Sequence, residues 1–172
     1  MKPSRSQDRD TFSDLVAACK DAFSYLASEY GYRASREIAT ERGFAVDYQG
    51  EQIGVRVTYQ VGDPLSVDVC LLDHSEFPKP LGEIRPDSRI AQFDLVDIEA
   101  VAGIQHSDAV AEAFAIPRPE MLGKYADRLH VAAVGLLAGD TEMVPALRER
   151  VLSRAAAAAR LKWGAKASEF GW

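Results

Sequence analysis

Cysteine and histidine are scarce in this chain, with two of the first and three of the second among 172 residues. Cys19 and Cys70 have no metal-ligand spacing and no neighbouring cysteine, so both read as free thiols within regular structure. His74, His106 and His130 include no pair at i, i+4, which leaves helix-borne zinc ligation unsupported. No run approaches the roughly 18 apolar residues of a membrane span. The polar residues 1–10 lack the apolar core of a signal peptide. A basic excess is missing too: 20 Lys and Arg stand against 26 Asp and Glu, a net charge of −6. Nucleic acid or an anionic membrane would need a concentrated basic footprint. Glycines sit singly at turns and helix ends, with no loop to cradle a phosphate. No cofactor, metal, nucleic acid or membrane is therefore expected, and the cytosol is the expected compartment.

What is present is a conventional core. With 47% hydrophobic residues the chain fits one domain over 1–172, with a polar tail at 1–10 and a second tail at 164–172. Thr11 and Asp14 make a cap of capping-box type, and Phe12 to Tyr30 repeat at helical spacing until Gly31. Three segments then alternate with period two: Phe44 to Tyr48, Ile53 to Val61 and Leu65 to Leu71. A two-residue Gly50-Glu51 turn sets Tyr48 against Ile53. A three-residue loop at 62–64 sets Val61 against Leu65, so one face of the meander stays apolar. Residues 73–92, with Pro78, Pro80 and Pro86, form a long connection of the kind that often carries function. Asp94 caps a small helix that runs to Gly103, and Ser107 starts another that ends before Pro117. A long helix begins near Pro119, since proline is tolerated at the first helical position. Gly139-Asp140 turns the chain into a last helix from Val144, with glycine ending one helix and aspartate capping the next. The fold class is α+β: an antiparallel sheet of at least three strands, packed on one face against an N-terminal helix and a C-terminal helical hairpin.

The candidate site residues are few. On the polar face of the meander Thr58 lies opposite Asp68, and Arg56 has Asp47 and Asp68 as diagonal neighbours. The plain reading is an exposed charge cluster of about 0–1 kcal/mol per pair; the functional reading is a partner-binding surface. His74, beside Asp73 at a strand end and a long loop, is the best placed residue for catalysis, though no nucleophile motif accompanies it. His106-Ser107-Asp108 has the residue types of a hydrolase triad without its separation along the chain. Glu99, Glu112 and Glu142 read as helix-surface residues. The tail brings Trp163, Phe170 and Trp172 next to Lys162 and Lys166. It is either a docking arm or a segment folded back on the body.

Phe23-Ser24-Tyr25-Leu26, Tyr30-Gly31-Tyr32, Val46-Asp47-Tyr48, Val55-Arg56-Val57, Phe93-Asp94-Leu95 and Leu136 to Asp140 together give a layout over residues 12 to 160. That layout resembles small bacterial α+β proteins found among immunity proteins of polymorphic-toxin and contact-inhibition systems. The resemblance implies a non-enzymatic protein that binds and blocks a partner, and it transfers no catalytic residue. The leading expectation is a protein-interaction module, with a basic partner if net charge guides association. The alternatives are a structural subunit of a larger assembly, including a homo-oligomer, and a small enzyme using His74 with nearby carboxylates.

Overall fold

The computed structural model describes residues 5–80, 82–105 and 115–171. Five strands form one antiparallel sheet in chain order: β1 (Arg33–Thr40), β2 (Gly43–Gln49), β3 (Ile53–Gln60), β4 (Ser66–Leu71) and β5 (Gln92–Asp94). The three expected strands are the middle of this meander. Helices α1 (Arg5–Ala22) and α2 (Tyr25–Tyr30) precede the sheet. Helix α3 (Leu95–Val101) leaves β5 directly, and α4 (Pro119–Ala132), α5 (Val134–Leu137) and α6 (Val144–Trp163) follow. A 3-10 helix (Gly164–Phe170) closes the described chain. No helix among the described residues is long and apolar enough to cross a membrane.

The first helix departs from expectation at both ends. It begins at Arg5, so Thr11 is helix interior and not its cap; nothing from 5 to 10 is Gly or Pro to stop a helix. It breaks at Phe23-Ser24, where the fully buried Phe23 turns the chain into α2. Gly31 does end this unit. At φ 72 it holds the left-handed conformation that favours glycine, and Tyr32 N–H reaches the Leu26 carbonyl at 2.9 Å.

Both hairpin registers are offset by two residues from the expected pairing. Gly50 N–H bonds the Ile53 carbonyl at 2.9 Å, so the turn is Glu51-Gln52 and Tyr48 faces Val55. The next turn centres on Gly62 (φ 99), which pairs Val57 with Val67 and Arg56 with Asp68. A shift of two keeps every side chain on its face, so the apolar side survives the change. That side is the core. Phe23 from the break between α1 and α2, and Leu26, Leu122, Leu129, Leu136 and Leu147 from the helices, pack in one cluster with Val46, Val55, Val57 and Val69 from the strands. Each such fully buried side chain contributes about 1.5–3 kcal/mol.

Ion pairs tie the helices to one another. Asp94 caps α3 by accepting the Asp97 N–H at 2.9 Å, as its sequence position implied. Glu99 is not the surface residue it was expected to be. It is buried, and its carboxylate takes two bonds from Arg128 on α4, at 2.7 and 2.6 Å. Arg150 and Arg154 of α6 reach Asp97 and Asp94 at 3.0 and 2.9 Å. At the α5–α6 corner Gly139 has φ 90, but Asp140 accepts the Glu142 N–H at 2.8 Å and so shapes the turn rather than capping α6. The segment 106–114, with His106, Ser107, Asp108 and Glu112, lies outside the described residues.

Candidate functional site

The face of the sheet away from the core carries one continuous charged row. Arg36, Asp47, Arg56, Asp68 and Asp94 stand directly opposite one another on successive strands. The two-residue offset creates this row: Arg56 is the direct neighbour of both carboxylates, not their diagonal one, and Asp68 faces Arg56 instead of Thr58. Arg56 grips Asp47 through two bonds, Nε to Oδ1 at 2.9 Å and a terminal nitrogen to Oδ2 at 3.2 Å. Arg36 adds a contact to the same carboxylate at 3.6 Å.

The centre of this cluster is not solvated, contrary to the expectation of an exposed face, although Arg36 at its β1 end is 52% exposed and Asp94 at its β5 end 34%. Asp47 is 2% exposed and Asp68 6%. Over Arg56 lies Phe77, from the long Pro-containing connection, whose ring centre is 4.9 Å from the guanidinium carbon. Gly54 makes the seat for that ring. A Cβ built there would fall 2.5 Å from a Phe77 ring carbon, so only a residue without a side chain lets the ring settle on the strand. Burial pushes the Asp68 carboxyl up to about 6, helped by the like charge of Asp94 opposite and opposed by hydrogen bonds from Ser66 and Gln92 and by Arg56. The Ser66 hydroxyl donates to Asp68 Oδ2 at 2.8 Å. Cys70, buried on the same face, has its thiol pushed up to about 12 by burial and the Asp68 charge, and is therefore a packing thiol. Cys19, in the core beside Tyr48, is likewise raised to about 12 by burial.

Two residues further along each strand the cover ends. Ile38, Ala45, Thr58 and Ser66 form the next row, followed by Thr40, Gly43 and Gln60. These rows floor an open groove of about 710 Å³, rimmed by Arg36, Arg42 and Asp63. Gly43 (φ 159) lets β2 and β3 close up beneath it, since a Cβ there would stand 1.9 Å from the Tyr59 carbonyl oxygen. The groove offers hydroxyls, an amide and guanidinium groups around a small apolar floor. Such a mixture suits hydrogen-bonded recognition of another chain.

The remaining expected residues do not join this site. His74 sits with Ser75 at the tip of a tight turn, both at positive φ (51 and 68), closed by two Asp73–Glu76 backbone bonds of 3.0 and 2.9 Å. Its side chain is 98% exposed, and its nearest carboxylate, Asp73, is 3.7 Å away. Among the described residues no second catalytic group stands within hydrogen-bond reach of it. Of the tail, Ala167 is buried and Gly171 lies near Pro86, so the backbone folds back onto α6 and the 82–86 segment. Phe170 is the last residue of that 3-10 helix, and Trp172 lies outside the described residues. Among the described residues no group of three His, Cys, Asp or Glu is placed to hold a metal ion.

Sequence reasoning found Asp47, Arg56, Thr58 and Asp68 but not what divides them. Arg36, Ile38, Thr40 and Arg42 went unread because β1 has no apolar alternation, and Phe77 because it sits in an aperiodic stretch. The single aromatic among the prolines of 76–80 was the available signal. No protein family, curated protein or solved structure matches this chain.

Proposed function

We propose that this chain is a non-enzymatic, cytosolic protein-interaction module that receives its partner in the groove over Ile38, Ala45, Thr58 and Ser66. One observation carries the proposal: a single sheet face is covered at the centre of its charged row and left open one row further on, with no side chain of the described residues filling the space. The buried state of Asp47 and Asp68 removes the ground for a basic partner at this face, because neither carboxylate reaches solvent to steer one. The charges that do reach solvent beside the groove are Arg36, Arg42 and Asp63. An immunity-type inhibitor, whose partner is a toxin domain, is one specific form of this module and follows from the resemblance in layout.

The test uses a groove-filling substitution. Thr58→Trp should abolish capture of whatever partner the wild-type chain retains from its native cell, with the unfolding midpoint unchanged. His74→Ala should retain that partner. Equal capture by Thr58→Trp would remove the groove from the account, and loss of capture by His74→Ala would redirect attention to the 73–76 turn.

A further inference from the structure

The groove is open at one side onto β1, and β1 is an edge strand. Among the described residues its outer backbone edge pairs with no other strand. Native edges are usually blunted by bulges and charge. Here the bulge lies between Ala34 and Arg36, and beyond it Arg36 to Thr40 pair with 47 to 43 in unbroken register. Five regular residues with an exposed edge are therefore available next to the groove. Their side chains divide by face. Arg36, Ile38 and Thr40 point to the groove side, and Glu37 and Ala39 to the helix side, where Glu37 is already paired with Lys20 at 2.7 Å.

Charge completes the pattern. Over 33–42 the strand and its turn carry Arg33, Arg36 and Arg42 against Glu37 and Glu41. Lys20 offsets Glu37, so this edge is locally positive on a chain of net charge −6. Arg36 is 52% exposed although it touches Asp47, and Arg42 stands at the groove rim.

Building on the groove reading above, we infer that β1 accepts an extended acidic segment of a partner protein as a sixth strand. Backbone bonds along Arg36 to Thr40 supply the affinity, and alternate side chains reach into the groove. The segment places a carboxylate opposite Arg36, an apolar residue opposite Ile38 and a second carboxylate near Thr40 and Arg42. Its pattern is acid, any, apolar, any, acid, and it adds antiparallel to β1, as every other pair of neighbouring strands in the sheet does. Neutral β-formers suit the intervening positions, because Glu37 and Ala39 face them.

The probe is a blocked seven-residue peptide with glutamate at positions two and six, isoleucine at four and threonine elsewhere. It is titrated into the whole isotope-labelled chain and followed by backbone amide resonances. Saturable shifts are expected over 33–42 and at Thr58 and Ser66, with slowed hydrogen exchange along β1. Replacing both glutamates by lysine should weaken binding about three- to tenfold, the size of two exposed charge pairs. An Arg36→Glu, Arg42→Glu variant should reverse that preference. Peptides N-methylated at alternate amides give the decisive contrast: one set should lose binding entirely and the other retain it, since only one set faces β1. Shifts at Thr58 and Ser66 with equal tolerance of both methylated sets would overturn strand addition while leaving the groove as a binding site. No saturable shift in any region, or shifts confined elsewhere, would overturn both.

Discussion

Two neighbouring rows of one sheet face have opposite fates. Arg36–Asp47–Arg56–Asp68–Asp94 crosses all five strands and carries a charge at every position. Ile38–Ala45–Thr58–Ser66, two residues along, carries none. By composition the first row belongs in water and the second could be covered. At the centre of the sheet the structure does the reverse, because Phe77 lies over Arg56 while nothing described lies over Thr58. The lesson is that a charged row can serve as interior when its own strands alternate the signs. Arg56 between two carboxylates leaves little unpaired charge for the cover to desolvate. The remaining mismatch, Asp68 against Asp94, is relieved by the raised proton affinity of Asp68 and by Arg154 on Asp94.

Substitutions in the two rows should break or sharpen that contrast. The largest effect belongs to Arg56→Ala, which leaves Asp47 and Asp68 buried without their guanidinium. Urea unfolding should show a loss of about 3–5 kcal/mol, the scale for removing one partner of a buried pair. A loss under about 1 kcal/mol would mean that the row is wet.

Next in size is Asp68→Asn, whose effect depends on pH. An acid held above its ordinary value is protonated more readily in the folded chain. Its favourable contribution is complete below the ordinary carboxylate value of 3.8 and is lost as pH rises through about 6. The asparagine variant should therefore be more stable than wild type by about 1–3 kcal/mol at pH 8, with the gain vanishing near pH 4. Melting curves across that range check it, and a gain independent of pH would contradict the cause assigned to the shift.

Smaller again is Gly54→Ala, which pushes the Phe77 ring off its seat at a cost of about 1–2 kcal/mol in denaturant unfolding. An Asp47 or Asp68 that becomes reactive in this variant would confirm that the ring is the cover. The smallest effect is Thr58→Ala in the open row, expected within about 0.5 kcal/mol of wild type, as for other surface positions. A cost equal to that of Arg56→Ala would erase the distinction between the rows.

How much of this was readable follows from what a period-two pattern can carry. Alternation assigned every residue of β2, β3 and β4 to its correct face, because a two-residue register shift leaves faces unchanged. For the same reason it could not separate Arg56 beside Asp68 from Thr58 beside Asp68. β1 has its exposed run at Arg33 to Glu37 and no apolar stripe, and β5 has only three residues. Neither offers a periodic signal. Local chemistry was more reliable at helix ends, where Asp94, Pro119 and Gly31 act through backbone geometry within a few residues. Burial of Glu99 and Asp47 goes with partners distant in sequence (Arg128 and Arg56), and composition gives no access to those. The Gly139-Asp140 corner sits between the two: its turn was legible, but its capping role was not, because Asp140 bonds Glu142 inside the turn.

The most direct measurement is residue-resolved carbodiimide modification of carboxylates in the native chain, read by mass spectrometry. Asp63, exposed at the groove rim, should react at the rate of a free side chain, whereas Asp47 and Asp68 should react only as fast as the protein unfolds. Modification of Asp47 and Asp68 in step with Asp63 would contradict the division of the sheet face into a sealed row and an open one.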